Sequence, residues 1–242
     1  MRYKIVFSYD GSQYCGMQIQ KDKLTIAKVL NDNLSNILCV PIEVVASGRT
    51  DSGVSAIEQV GHFDYDGDLP KNFVGYINSV LPASIRVHSV AVAPNFHARY
   101  DAKEKTYIYK FYVSKNANAF YDKFALQVPK CDIDKVKKSL KYLIGTHDFT
   151  SFCASGTGVK DMVRTITSAS IDGDGEVYTF TIAGNGFLYN MVRIIVGTLI
   201  EIGSKGLAPG HMKNVIDGKN RKLAGPTKPA YPLVLKSVSY IQ

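Results

Sequence analysis

Apolar and polar side chains alternate at the start of the chain and then change to a helical spacing. Residues 3–9 carry large apolar side chains at every second position, which predicts a β-strand. Between Ile26 and Leu38 the apolar side chains recur three and four residues apart, and Thr25 is placed to cap the first turn, so a helix is predicted there. The remaining predicted elements of this part are a strand over 42–47, a strand over 58–65, a helix over 70–78 and a strand over 85–92.

The second part of the chain repeats this order of strands and helices. A long, almost entirely apolar helix is predicted over 188–202, with Gly203 as its end. The other predicted elements are a strand over 105–113, a helix over 133–144 capped by Asp132, a hairpin of 163–171 and 177–183 around Asp172–Gly175, a short helix over 209–217 and a strand over 233–240.

Each part therefore follows the order strand, helix, strand, strand, helix, strand, which is typical of the split βαβ or ferredoxin-like motif. The predicted fold class is α+β, with two ferredoxin-like halves that join antiparallel-rich sheets around a basic central cleft. We place the halves at residues 1–103 and 104–242.

The composition narrows the range of functions. The 242 residues carry a net charge of +8, which favours an anionic partner, with nucleic acid as the first candidate. The four cysteines form no CxxC pair and the five histidines are scattered, so neither a disulfide framework nor a zinc site is expected. We expect neither a signal peptide nor a membrane span, because the most apolar stretch is short and contains Asn190 and Arg193. A cytoplasmic location is expected.

The segment Gly48–Gly53, with the sequence GRTDSG, is the strongest candidate for chemistry. It follows a predicted strand, and its two flanking glycines are typical of a tight loop. Arg49 lies two positions before Asp51, and a nearby guanidinium keeps a carboxylate ionised and oriented. An ionised, oriented carboxylate suits a nucleophile, whereas a turn closed by a local ion pair explains the same spacing without any chemistry.

Three further polar segments are candidates for a site. Lys105 and Tyr107 share a face of one predicted strand, where cations and rings could hold phosphates and stack on bases, although tyrosine is also simply common in strands. Arg193 lies within the apolar helix and needs an anionic partner, for which Asp51 is the first candidate. The other polar segments are His97 with Arg99 near the boundary between the halves, and a basic loop over 218–230 with Arg221 and Lys222.

Taken together in chain order, these segments resemble the tRNA pseudouridine synthases of the TruA type. The resemblance extends over residues 2–240 and depends on the motifs at 9–18, 48–54, 96–99, 145–152 and 187–193. It implies that uridine is isomerised to pseudouridine in the anticodon stem-loop of tRNA, at positions 38, 39 and 40. It also implies a homodimer without cofactor or metal and with a basic RNA-binding cleft.

The resemblance assigns roles to individual residues. Asp51 matches the nucleophile of the family, Tyr107 its active-site tyrosine, and Arg49 and Arg193 its arginines. The expected substrate-binding residues are Tyr107, Arg49, His97, Arg99, Lys105, Arg221 and Lys222. The chain departs from the family pattern at Met17, where tryptophan is usual, and at Ser55, where histidine is usual. Both departures are expected to affect the affinity for RNA or the choice of uridine.

Two other functions fit parts of the pattern. A non-catalytic RNA-binding module would keep the basic surface but would not need Asp51. A metal-dependent phosphotransferase would use Asp51 as a nucleophile but would need further carboxylates for Mg²⁺, and the sequence has no acidic cluster near the Gly48–Gly53 loop. The intact set of Asp51, Arg49 and Tyr107 favours the synthase.

Overall fold

A computed structural model describes residues 1–156, 158–173 and 175–240. In these residues ten strands alternate with five α-helices, and short 3₁₀ turns connect some of them. The elements are β1 (Arg2–Tyr9), α1 (Ile26–Leu38), β2 (Val45–Ala46), β3 (Ser55–Asp64), α2 (Phe73–Val80), β4 (Ile85–Val92), β5 (Ala102–Val113), β6 (Leu126–Val128), α3 (Ile133–Ser139), β7 (Gly145–Asp148), β8 (Val163–Gly173), β9 (Val177–Gly184), α4 (Met191–Lys205), α5 (His211–Asp217) and β10 (Leu233–Tyr240). The protein is therefore of mixed α/β type, and most of its strand pairs are antiparallel. No helix among the described residues has the length and apolarity to cross a membrane.

The chain forms two compact units. The first contains Met1–Lys103 together with the chain from Val234 onward, and the second contains Glu104–Leu233. The sequence assigned all of 104–242 to the second half, and the structure differs for the final strand. Val234 and Leu235 of β10 pair in parallel with Ser55 and Ala56 of β3, so the last strand belongs to the sheet of the first unit.

In the sheet of the first unit the strand order is β4-β1-β3-β10, and β2 pairs with part of β3. Side chains along β1 alternate between buried and partly exposed, which confirms the predicted strand. The α1 helix has the predicted bounds, and the Thr25 side chain accepts a hydrogen bond from the N–H of Lys28 as its cap. The apolar side of α1 is buried through Ile26, Leu30, Leu34 and Leu38.

The strand predicted over 42–47 is shorter than expected. Only Val45–Ala46 pairs with β3, although the preceding residues alternate like a strand. The N–H of Ile42 donates instead to the Ser35 hydroxyl, and the N–H of Val44 donates to the Asn31 side-chain oxygen, both on α1. These side chains of α1 take the donors that a strand partner would otherwise bind.

In the sheet of the second unit the strand order is β5-β9-β8-β7, and β6 runs parallel to the end of β5. The predicted hairpin is present as β8 and β9, but Asp174 in its predicted turn lies outside the described residues. The sequence missed β6 and β7 because strands of three and four residues are too short to show an alternating pattern.

The long apolar helix ends later than predicted. It continues to Lys205, and Gly206 ends it in the left-handed conformation with φ of +70°. Gly203, which was predicted to end the helix, lies inside it, where a Cβ atom would be 2.3 Å from the Cys131 sulfur. Gly203 is therefore a site of close packing beside α3, and the capping glycine is the next one along the chain.

Candidate active site

The Gly48–Gly53 loop connects β2 to β3, and its side chains differ in their exposure to solvent. Arg49 is exposed, Thr50 is 7% exposed and Asp51 is half-buried. The backbone turns at Gly53, whose φ is +80°, and the N–H of Val54 donates to the Asp51 carbonyl at 3.1 Å. The loop thus presents the arginine and the carboxylate at the surface of the first unit and buries the threonine between them.

Buried hydrogen bonds from β3 hold the start of this loop. The Ser47 hydroxyl donates to Oε1 of Gln59 at 2.7 Å, and Nε2 of Gln59 donates to the Gly48 carbonyl at 3.2 Å. Ser47 and Gln59 are both fully buried. Both the oxygen and the nitrogen of the buried Gln59 amide therefore have hydrogen-bond partners. Such a buried network holds the backbone at Gly48, directly before Arg49.

A second buried contact holds the middle of the loop. The Tyr9 and Thr50 hydroxyls share a hydrogen bond of 2.7 Å between Oη and Oγ1. Tyr9 is the last residue of β1 and is only 4% exposed. Burial raises the pKa of Tyr9 to about 12, so its hydroxyl stays protonated at neutral pH.

The loop after β1, residues 10–17, packs against the Gly48–Gly53 loop. The N–H of Met17 donates to the Thr50 carbonyl at 3.1 Å. A Cβ atom on Gly16, whose φ is +87°, would lie 2.6 Å from that same carbonyl oxygen, and one on Gly11 would lie 2.0 Å from the Val54 carbonyl oxygen. Only glycine lets the two backbones approach so closely, which explains why these positions carry it.

The two departures from the family pattern lie where these loops meet. Met17 is buried, and its N–H holds the Thr50 carbonyl. The Ser55 hydroxyl accepts a hydrogen bond of 3.0 Å from the N–H of Gly11. Met17 and Ser55 therefore both connect the loop of residues 10–17 to the Gly48–Gly53 loop and the start of β3.

His97 and Arg99 lie in a tight turn of the first unit. Nδ1 of His97 accepts hydrogen bonds from the N–H groups of Arg99 and Tyr100, both at 3.2 Å. The N–H of Ala98 donates to Nδ1 of His62 at 3.1 Å, and burial lowers the pKa of His62. The His97 ring thus shapes the turn, and the exposed Arg99 side chain is the group left to reach a ligand.

In the second unit, Tyr107 lies on β5 and is 8% exposed. Its ring packs edge-on against Phe187, with 5.1 Å between the ring centroids. Further along the same face of β5, Tyr109 and Phe111 belong to the core, and the Tyr109 hydroxyl donates to the Pro229 carbonyl at 3.0 Å. Of the aromatic side chains on this face, Tyr107 is therefore the candidate for contact with a base. Lys105, on the same strand, is partly exposed.

Arg193 lies in the first turns of α4 and is held from two sides. Nη1 donates to Oδ1 of Asn190, and Nε donates to the Lys228 carbonyl, both at 2.6 Å. The N–H of Lys228 donates in return to the Arg193 carbonyl at 3.3 Å. These bonds fix the guanidinium within the second unit, and its predicted ion pair with Asp51 stays a prediction.

The segment 224–229 of the predicted basic loop is packed onto α4. The N–H of Gly225 donates to the Thr198 hydroxyl at 2.9 Å. A Cβ atom on Gly197 would lie 1.9 Å from the Pro226 carbonyl oxygen, so the two backbones are in direct contact there. This packing brings the Lys228 carbonyl to Arg193.

The two cations at the start of this loop differ in their contacts. The Arg221 guanidinium donates to the carbonyls of Ala224 and Gly225 at 3.2 and 3.0 Å and to the Thr227 hydroxyl at 3.2 Å. Lys222 is exposed, and its N–H donates to the Asn220 side-chain oxygen. Arg221 therefore closes its own loop, and Lys222 is the cation turned to solvent.

Among residues 1–156, 158–173 and 175–240, no group of three or more His, Cys, Asp or Glu side chains is arranged to hold a metal ion. The four residues with a predicted catalytic role lie in both units: Arg49 and Asp51 in the first, and Tyr107 and Arg193 in the second.

Comparison with known proteins gives the family. A family model described as tRNA pseudouridine synthase matches residues 140–241. The chain is 44% identical to tRNA pseudouridine synthase A of Bacillus licheniformis over 99% of both chains. It is 44% identical to the protein of that name from Shouchella clausii over 97% of this chain and 92% of that one, and 40% identical to the one from Exiguobacterium sibiricum over 99% and 96%. The chain belongs to the tRNA pseudouridine synthase family.

Proposed function

We propose that this protein isomerises uridine to pseudouridine in the anticodon stem-loop of tRNA, at positions 38, 39 and 40. The observation that carries the proposal is the Gly48–Gly53 loop, where buried hydrogen bonds hold the backbone around a half-buried Asp51 and an exposed Arg49. The 44% identity, over nearly the whole chain, to proteins named tRNA pseudouridine synthase A supports the proposal.

The reaction moves a bond within one nucleotide. The C1′–N1 bond breaks, the uracil turns, and C5 bonds to C1′ while the proton leaves C5 and N1 gains one. No atom enters or leaves overall, so neither an external group nor a redox cofactor is required. Asp51 is the proposed nucleophile, and three routes fit it: attack at C1′, assistance to a glycal, or addition to C6 of the base.

The other residues receive roles that match their contacts. The target base must leave its stack at a cost of about a few kcal/mol, and the exposed Arg49 side chain is proposed to fill the gap. Tyr107 is proposed to stack on the extruded base and to serve through its hydroxyl in the proton transfer from C5. Arg193, held by Asn190 and Lys228, is proposed to keep the Asp51 carboxylate ionised.

RNA binding is proposed to use cations from both units. The proposed contacts are His97, Arg99, Lys105, Arg221 and Lys222, in a basic cleft of a cytoplasmic homodimer whose halves are ferredoxin-like. Arg99 and Lys222 are exposed, which supports a direct contact with RNA. His97 and Arg221 bind atoms of their own turns, which favours a role in shaping the loops that contact RNA. The net charge of +8 supports a polyanionic partner.

Mapping pseudouridine in tRNA tests the proposed function directly. Cells that lack the gene are expected to lose pseudouridine at positions 38, 39 and 40 and to keep it elsewhere, and the purified protein should restore it on tRNA from those cells. Unchanged modification at all three positions after deletion would contradict the proposal.

The structure separates the expected effects of Arg221 and Lys222. Replacing Lys222 with glutamine removes one proposed phosphate contact, so tRNA affinity should fall equally for all substrates and the log–log salt slope should flatten by about 0.7 to 0.9. Arg221→Gln should instead lower the free energy of unfolding, because the carbonyls of Ala224 and Gly225 lose their donor.

Binding over a salt series, with thermal unfolding of each variant, measures both effects. Lys71→Gln on the first unit is the control, since it removes the same charge from an exposed position outside the proposed contacts. A salt slope for Lys222→Gln that equals that of the Lys71→Gln variant would remove Lys222 from the RNA-binding surface.

A further inference from the structure

The hydrogen bond between the Tyr9 and Thr50 hydroxyls has no part in the proposed reaction, yet it ends one residue before Asp51. We infer that Tyr9 and Thr50 are positioning residues, and that their buried hydroxyl pair sets the direction in which Asp51 meets the substrate. The inference rests on the proposed role of Asp51 as nucleophile. It adds two residues to the site that make no contact with the reacting atoms.

The Tyr9 side of this hydroxyl pair is held rigidly by the sheet. Tyr9 ends β1, and its ring packs against Phe7 with 6.0 Å between the ring centroids. Both Tyr9 and Thr50 are almost completely buried, so no water competes for their hydrogen bond. A hydroxyl fixed by a β-strand core is a firm anchor for a loop that carries a catalytic group.

Thr50 is the point through which this anchor reaches Asp51. The Thr50 carbonyl, which forms the peptide bond with Asp51, also accepts the N–H of Met17. On the other side, the Asp51 carbonyl accepts the N–H of Val54. Backbone hydrogen bonds thus hold the peptides before and after Asp51, and the Thr50 side chain adds a hydrogen bond that ties this stretch to the end of β1. Without this bond the Thr50–Asp51 peptide is held by backbone bonds alone, so the direction of the Asp51 side chain is less closely fixed.

Tyr9 is not suited to act chemically. Burial raises its pKa to about 12, and its hydroxyl is already engaged with Thr50, so it neither gains nor loses a proton in the neutral range. The effect of the pair on the reaction is therefore geometric. A displacement of the catalytic group by about 1 Å can lower the reaction rate by up to about a hundredfold.

Single-turnover rates at saturating enzyme test the inference. Tyr9→Phe and Thr50→Val each remove one hydroxyl and nearly preserve shape, and each should slow the reaction by about tenfold to a hundredfold with tRNA affinity unchanged. The double variant should be no slower than the slower single variant, because both remove the same bond. Thr50→Ser, which keeps the hydroxyl, should retain most of the rate. The pH profile of the slowed variants should keep the shape of the parent enzyme's profile.

Tyr3→Phe is the matched control. Tyr3 lies on the same face of β1, is 3% exposed, and donates its hydroxyl to the Gly67 carbonyl at 2.8 Å, away from the Gly48–Gly53 loop. The variant should lose a similar amount of thermal stability to Tyr9→Phe and keep the full single-turnover rate. A slowing in Tyr3→Phe equal to that in Tyr9→Phe would overturn the inference, because stability alone would then explain the rates.

The outcomes also separate this inference from the proposed function. If Tyr9→Phe and Thr50→Val react at the parent rate while Asp51→Asn is inactive, the positioning role is wrong and the nucleophile stands. If Asp51→Asn is itself active, the nucleophile and the positioning role that rests on it both fall.

Discussion

The Asp51→Asn variant is expected to bind tRNA as tightly as the parent protein and to lose at least about a thousandfold in single-turnover rate. The change removes the charge and nearly preserves the shape of the side chain. A neutral amide is a poor nucleophile toward C1′ or C6 and a poor base for forming a glycal, so each of the three routes should fail. Pseudouridine formed in a single turnover, with tRNA affinity measured at the same salt concentration, gives both quantities.

Asp32→Asn is the control for the change in charge. Asp32 is an exposed residue of α1 in the same unit, and its carboxylate pairs with the Lys28 ammonium at 3.0 Å. Both variants gain one unit of positive charge, so any general gain in RNA affinity should be equal. The result also separates the alternatives, because a non-catalytic RNA-binding module would show no difference between the variants in any assay. Substantial turnover by Asp51→Asn would remove Asp51 from the nucleophile role.

The sequence predicted the parts of the fold that depend on local periodicity. The bounds of α1 and its Thr25 cap are confirmed, as is the alternating burial along β1. These elements carry a complete apolar face, so their spacing in the sequence is enough to define them. The Gly48–Gly53 loop lies between β2 and β3 as predicted, and its position was visible because its glycines follow a strand-like run.

The parts that the sequence missed depend on partners far along the chain. The strand over 42–47 is shortened because side chains of α1 take the N–H groups of Ile42 and Val44. The last strand joins the first unit because β3 offers it a parallel partner. Pairing between distant segments leaves no local signal, so a pattern within ten residues cannot show it.

The contacts of polar residues in the candidate site also depend on partners that the sequence does not show. Arg221 was predicted as a phosphate contact because it lies in a run of cations. Its guanidinium donates to the carbonyls of its own loop, and its contact with RNA stays a prediction. The buried pair of Tyr9 and Thr50 gave no signal, since tyrosine in a strand and threonine in a loop are both common. The sequence shows which charged side chains are present. Whether such a side chain binds nearby carbonyls or faces solvent depends on the fold.

Gly197→Ala is expected to destabilise the protein by about 3 kcal/mol or more and to reduce activity with it. A Cβ atom at this position would lie 1.9 Å from the Pro226 carbonyl oxygen, a backbone atom that cannot turn aside as a flexible side chain can. Either α4 or the segment 224–229 must move. Movement of that segment breaks the hydrogen bond from Gly225 to Thr198 and withdraws the Lys228 carbonyl from Arg193.

Urea unfolding and single-turnover rates measure the two effects, and Gly210→Ala is the control. At Gly210 the nearest atom to a new Cβ is the Tyr142 hydroxyl oxygen at 3.9 Å, an ordinary contact, and the backbone is already in the right-handed helical region. The control should therefore keep both the stability and the rate of the parent protein. Parent-like stability together with a parent-like rate in Gly197→Ala would mean that α4 and the segment 224–229 do not pack as closely as described. A stable but slow Gly197→Ala variant would instead show that the segment moves away without unfolding, and that the bonds it makes to Arg193 are needed for the reaction.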